Sequence, residues 1–269
     1  MPQKDVVDRK WLLDNIGEVD GAVSFAAYKF DKEVINSSKK LKVIAHYGAG
    51  YDSVDVSSAT EKGIIVTNTP DVVSGATSDI AMHLILSALR RTSEAEACLR
   101  RGEWPKQNEQ FLGRDPNGKT LGIIGMGSIG KLLAKKARAF DMNIVYYNRN
   151  PVSKEMEAEL QAKYLPFQEL LATSDVISVN VPLTSDTKHM LSAKEFSQMK
   201  RGVVIVNTAR GSVINEDDLV AALESGQVGS AGLDVFEHEP PVHPKLLPMP
   251  NVTLLPHIGT CTAETRSGM

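Results

Sequence analysis

Cysteine is nearly missing from this chain: Cys98 and Cys261 are the only two in 269 residues, and they stand far apart. That spacing argues against a disulfide framework and against a Cys/His zinc site, so no metal is expected. Long apolar runs are missing as well, and no segment is long and apolar enough to span a bilayer. The opening residues, MPQKDVVDRKW, lack the apolar core of a signal peptide. Strong charge of either sign is absent. At a net charge of −3 the chain carries no electrostatic footprint for nucleic acid or an acidic membrane. There is no internal repeat and no low-complexity tract. These absences leave a globular, cytoplasmic protein of ordinary composition, long enough for two domains or one large one.

What is present is concentrated in residues 119–150, KTLGIIGMGSIGKLLAKKARAFDMNIVYYNRN. Residues 121–124 form an apolar run of strand type that stops at Gly125-Met126-Gly127-Ser128-Ile129-Gly130. Beyond it Leu132, Leu133, Ala134, Ala137 and Phe140 recur at helical spacing, and residues 143–147 read as a second strand. Strand, glycine turn, helix and strand in this order are the setting that the dinucleotide fingerprint requires. Gly125 allows the tight turn, Gly127 lets backbone approach a pyrophosphate, and Gly130 lets helix pack on strand. The helix then directs its unpaired N–H groups and positive dipole end at the phosphates.

Before this stretch, residues 19–26, 41–45 and 64–67 are strand-like, with a helix expected over residues 31–37. The loop at 46–52 contains glycines and suits an anion. Residues 76–91 make a helix whose apolar surface is wider than one sheet contact needs, which points to burial on several sides, between domains or against a second subunit. His83 lies in it as a packed or interface residue. Residues 93–101 continue as helix, and residues 102–118 form a polar connector.

After the fingerprint, strands are expected at residues 174–179, 203–207, 229–235 and 252–255, with helices at 193–199 and 216–224. Strands separated by helices imply a doubly wound parallel sheet with right-handed crossovers. In such a sheet ligands bind outside the carboxyl ends of the strands. Arg210, Asp234, Glu237, Glu239 and His257 all follow strand ends, so an arginine, acids and a histidine gather at one rim. These types fit hydride transfer to a ketone. A histidine can protonate the developing alkoxide, a carboxylate on its other nitrogen fixes its tautomer, and an arginine can hold a substrate carboxylate bidentately. Spacing alone does not separate Glu237 from Glu239 as the partner of His257. His46 is a weaker candidate acid, and His189, His238 and His243 read as solvated loop residues.

Five motifs in order resemble the D-2-hydroxyacid dehydrogenases. They are residues 125–130; Val181-Pro182-Leu183-Thr184 with Thr187; Asn207-Thr208-Ala209-Arg210-Gly211; Leu233-Asp234-Val235-Phe236-Glu237-His238-Glu239-Pro240; and Pro256-His257-Ile258-Gly259. The resemblance runs from about residue 41 to the end. It implies a Rossmann cofactor domain over residues 73–260 and a smaller, flavodoxin-like substrate domain over residues 1–72 and 261–269. Against the family pattern that smaller domain is expected to be truncated at both ends. By the same resemblance Arg210, Glu239 and His257 are the catalytic set, with Arg210 also binding substrate beside the backbone of Ala49 and Gly50. The cofactor would contact Thr77, Gly125, Met126, Gly127, Ser128, Ile129, Gly130, Asn148, Arg149, Val181, Pro182, Thr187, Thr208, Ala209 and Asp234. Val181, Pro182 and Thr187 would line its adenosine side and Asp234 would hold the nicotinamide carboxamide. Family members are usually homodimers joined through the segment that residues 76–101 resemble.

The position expected to carry an acid for the ribose 2′-OH of NAD is Asn148, followed by Arg149. Absence of a carboxylate, with a guanidinium alongside, favours NADP(H), with NAD(H) still possible. The pair is similar to that of NADPH-using glyoxylate and hydroxypyruvate reductases, so the expected reaction is NADPH-dependent reduction of a small 2-keto acid. The rival readings are a bulkier or aromatic 2-keto acid and a non-catalytic, corepressor-like sensor of the dinucleotide. A third is formate dehydrogenase, whose histidine pairs with glutamine where this chain has Glu239.

Overall fold

A computed structural model describes residues 8–107 and 109–269; residues 1–7 of the stretch read for a leader lie outside the described residues. The chain divides into two compact units, Met1–Val73 with Glu264–Met269, and Ser74–Ala263.

In the smaller unit helices α1 (Arg9–Asn15), α2 (Lys32–Ser37) and α3 (Val56–Glu61) alternate with strands β1 (Gly21–Ser24), β2 (Val43–His46) and β3 (Ile65–Thr67). Each helix starts at an aspartate whose side chain accepts from a first-turn N–H: Asp8 from Trp11, Asp31 from Val34 and Asp55 from Ser58. The three strands pair in parallel in the order β1-β2-β3. Ile44, on the middle strand, packs with Leu12, Val34, Ile35 and Ala59 of the helices.

The larger unit opens with α4 (Ser74–Arg90) and α5 (Thr92–Arg100), separated at Arg91, whose φ of 54° is left-handed. The expected continuous helical run is therefore broken there. Next come β4 (Thr120–Ile124), α6 (Ser128–Arg138), β5 (Asn143–Tyr147), α7 (Lys154–Leu160), β6 (Ala162–Tyr164) and α8 (Phe167–Thr173). Then follow β7 (Val176–Val179), α9 (Ala193–Ser197), β8 (Val203–Asn207), α10 (Glu216–Glu224), β9 (Val228–Leu233) and β10 (Val252–Leu254), while α11 (Ala263–Gly268) belongs, but for its first residue, to the smaller unit.

Seven parallel strands pair in the order β10-β9-β8-β7-β4-β5-β6. The chain runs outward from β4 to β6 and then crosses back to β7, which puts the topological switch point between β4 and β7. Strands β7 and β8 are buried along their whole length, and an apolar cluster lies on each face of the sheet. The wide apolar surface of α4 is absorbed inside this unit. Ala81, Met82, Leu84, Ile85, Ala88 and Leu89 join the cluster that holds Leu121, Ile123, Val204 and Val206. Burying one such aliphatic side chain is worth about 1.5–3 kcal/mol. His83 is exposed on the opposite face.

Candidate active site at the carboxyl rim of the sheet

The rim starts at the glycine turn. Gly125 has φ 101°, and a Cβ there would stand 2.6 Å from the Asn180 carbonyl oxygen at the end of β7. A Cβ on Gly130 would stand 2.3 Å from the carbonyl of Gly125, so helix and strand approach closely enough to admit only glycine. Gly127 is different: nothing lies within 4 Å of where its Cβ would be. It is the N-cap of α6 and has no side chain to satisfy the first-turn N–H groups, among them those of Ile129 and Gly130. An open cradle under a helix N-terminus fits a pyrophosphate.

Asn148, at the end of β5, uses its Oδ1 to accept from the Met126 N–H at 2.6 Å, so it braces the glycine turn; Arg149 beside it is exposed. Val181 packs against the core at the switch point, and its Cγ1 would lie 3.0 Å from a Cβ on Gly125. Thr187 donates its hydroxyl to the Pro182 carbonyl at 2.6 Å, closing the loop after β7. Two buried oxygens here have no protein partner: Asn180 Oδ1 and Thr208 Oγ1. Unpaired buried acceptors of this kind suit a polar ligand. Asn180 was missed in the sequence; its signal was its place at the end of the strand beside the glycine turn.

The groups expected to react follow β8, β9 and β10. After β8, Asn207 Oδ1 accepts from Ala209 N–H and its Nδ2 donates to the Arg210 carbonyl, which fixes the turn bearing Thr208, Ala209 and Arg210. After β9, Asp234 is buried, and its two oxygens accept from the Ile258 and Gly259 N–H groups at 2.8 and 2.7 Å. Burial pushes its carboxyl above the usual range against the pull of those two N–H groups. Thr77 of α4 stands at the same place, since a Cβ on Gly259 would lie 3.4 Å from its methyl carbon and 3.0 Å from Asp234.

Glu239 Oε2 and His257 Nδ1 are 2.7 Å apart, and Glu239 Oε1 accepts from the Phe236 N–H at 2.8 Å. Burial pushes the Glu239 carboxyl up, yet His257, the Phe236 N–H and the positive charge of Arg210 together hold it below the usual range. The geometry thus pairs Glu239 with His257. Glu237 pairs instead with His189 through Nε2 at 2.5 Å. His189 is therefore half-buried and partnered rather than solvated, and His243 meets Asp217 at 3.1 Å, while His238 is exposed as expected. Correction is also due for His46: it is buried on β2 with its Nδ1 2.9 Å from Ser24 Oγ. In the smaller unit the loop carrying Ala49 and Gly50 is pinned by Asn68, which donates to the Ala49 carbonyl at 2.7 Å.

A doubly wound sheet with a glycine cradle at its switch point, and a histidine–glutamate pair along the same rim, is the layout of an NAD(P)-dependent dehydrogenase. The family model described as "D-isomer specific 2-hydroxyacid dehydrogenase, NAD binding domain" matches residues 82–259. A glyoxylate reductase of Thermococcus litoralis is 47% identical over 263 residues, 96% of this chain and 79% of that protein. A 4-methyl-2-oxopentanoate reductase A of Aspergillus oryzae is 52% identical over 241 residues, 89% of this chain and 72% of that one. The crystal structure of a glyoxylate reductase from Paecilomyes thermophila superposes with a TM-score of 0.90 at 49% identity, covering 96% of this chain and 81% of its own. The chain belongs to the D-isomer specific 2-hydroxyacid dehydrogenase family, and its cofactor is a nicotinamide dinucleotide. Among the described residues no helix is long and apolar enough to cross a membrane, and no cluster of His, Cys, Asp and Glu could hold a metal.

Proposed function

We propose that this enzyme reduces a small 2-keto acid of the glyoxylate or hydroxypyruvate type to the D-2-hydroxy acid, with NADPH preferred. The observation that carries the reading is the 2.7 Å contact of Glu239 with His257 Nδ1, made within electrostatic reach of Arg210. A dinucleotide held by its pyrophosphate at the glycine cradle would supply the hydride from its reduced nicotinamide. His257 delivers a proton from Nε2 to the substrate oxygen as negative charge grows there, because its Nδ1 is committed to Glu239. Glu239 fixes the ring's orientation and supports its charged form. Arg210 holds the substrate carboxylate and polarises the adjacent carbonyl. Asp234, its two oxygens fixed by the Ile258 and Gly259 N–H groups, can accept from a carboxamide. Residues Ser74–Ala263 form the cofactor domain in this reading, and the smaller unit forms the substrate domain.

The preference for NADPH rests on position 148. Asn148 braces Met126 without adding negative charge, and the exposed Arg149 next to it can pair with a 2′-phosphate. Asn148→Asp would keep the acceptor for Met126 and add a charge. Repulsion of two charges at ~4 Å costs roughly 1–4 kcal/mol between water and a protein surface, so kcat/KM for NADPH should fall at least about fivefold and that for NADH should not. Turnover of glyoxylate, hydroxypyruvate, phenylglyoxylate and 4-methyl-2-oxopentanoate with both cofactors tests the whole reading. Wild-type preference for NADH would overturn the cofactor assignment. The fungal reductase above makes the branched acid the second candidate: a higher kcat/KM on it than on glyoxylate would move the assignment to bulkier substrates.

We further assign the α4–α5 segment and its connector to a homodimer contact. Leu99, Trp104 and Leu112 stand 53%, 79% and 72% exposed, apolar surface that a second copy would cover. A monomer mass by light scattering would refute this. Two free cysteines fit a reducing cytoplasm.

A further inference from the structure

The loop that leaves β9 carries two glutamates, and the proposed chemistry uses only Glu239. Glu237 is built into a different set of contacts. Its Oε1 accepts from His189 Nε2 at 2.5 Å, and its Oε2 accepts from the Glu216 N–H at 3.4 Å. Glu216, the first residue of α10, accepts in return from the Glu237 N–H at 2.7 Å. Glu216 is buried, and Glu237 keeps only 19% of its side-chain surface. His189 has a left-handed φ of 52°, and its N–H donates to the Ser212 carbonyl at 2.8 Å. A residue other than glycine stays in that region only where its surroundings over-determine it.

Three segments meet at this cluster: the loop after β7, the turn after β8 that bears Arg210, and the loop after β9. They meet tightly, since a Cβ on Gly211 would stand 1.8 Å from the carbonyl carbon of Phe236. Phe236 is also the residue whose N–H holds Glu239. The contacts therefore run from His189 through Glu237 to the peptide adjoining the Glu239 anchor. Two carboxylates that face each other under cover are a costly way to join two segments, and apolar side chains would do so more cheaply. What the reciprocal N–H contacts add is register and direction.

We propose that His189, Glu237 and Glu216 form a positioning cluster that fixes the loop after β9 and so sets the reach of Glu239 to His257. The cluster touches no reacting group; it acts through Glu239, and its catalytic meaning rests on the function proposed above. The remaining charged groups that face Glu239 are His257, Arg210 and Asp234.

The test uses the full chain with ¹³C-labelled glutamate. The Glu239 carboxyl signal is assigned by its loss in Glu239→Gln, and its titration is compared in wild type, Glu237→Ala and Glu237→Gln. In Glu237→Ala the Glu239 titration should move up toward the ordinary carboxyl range. There kcat should fall about tenfold, since small displacements of a positioned group are expensive, while KM for the dinucleotide holds. Glu237→Gln keeps one oxygen, for His189 Nε2, and its own N–H to Glu216, giving up only the 3.4 Å contact with the Glu216 N–H, so it should restore most of the titration and of kcat. A folded Glu237→Ala with unchanged Glu239 titration overturns the proposal, and so does a shift that glutamine fails to restore. Should Glu237→Ala not fold, His189→Ala decides by the same readout. If wild type turns over no 2-keto acid and yet Glu239 shifts, the chemical reading fails and the cluster stands.

Discussion

Two histidine–glutamate pairs hang from the loop after β9, and both histidines have left-handed backbone, φ 54° at His257 and 52° at His189. They differ in which nitrogen is used. His257 meets Glu239 through Nδ1, which leaves Nε2, at the tip of the ring, for exchange with a substrate. His189 meets Glu237 through Nε2, so its tip is already committed to a carboxylate. The acids differ too. Glu239 is backed by one peptide N–H of its own loop, whereas Glu237 is interlocked with the first peptide of α10. In the proposed reading, glutamates two positions apart thus divide between a pair that moves a proton and a pair that holds a segment still.

The largest expected effect tests that division directly. His257→Ala should lower kcat by about 10² to 10⁴, the usual worth of a positioned proton donor, with little change in the KM for the dinucleotide. His189→Ala should cost only about tenfold, because its loss loosens Glu239 without removing the donor. Steady-state kinetics on the best keto acid checks both. Equal losses would erase the contrast, and a larger loss at 189 would reverse the roles.

Much of this contrast could not be read from the chain. The glycine turn could be, because each glycine answers a steric demand that the structure displays at Gly125 and Gly130. Strand β8 and helix α10 were legible to the residue, the first as an unbroken apolar run and the second as a periodic helix behind the Asn215 cap. Segments α7, β6 and α8 were not, since each is seven residues or shorter and too brief for periodicity to register; Ser153 as a cap was the available clue. Glu237 and Glu239 lie in irregular backbone, where no period says which side chain faces which neighbour. The width of α4 was visible, but the sheet and α6 of its own unit cover it, which no count of apolar residues distinguishes from a subunit contact.

The smallest effect concerns pH, where Glu239 and Glu216 should respond in opposite senses. Glu239 is held below the ordinary carboxyl range despite the partial desolvation of its carboxyl, so the stability it contributes is present above that range and is lost as pH falls through its depressed value. Glu216 is pushed above the range by burial and by Glu237. Its contribution is present below the ordinary range and is lost as pH rises through its raised value. At neutral pH Glu216 is then the member whose ionisation works against the fold. Glu216→Gln keeps an oxygen for the Glu237 N–H and removes the charge. The variant should gain in denaturant midpoint relative to wild type as pH rises from about 4.3, the unperturbed glutamate value, toward 8, and the gain should vanish below that value. A difference that shrinks with rising pH would mean that Glu216 is stabilised as a carboxylate, and its contacts with Glu237 would then need another account.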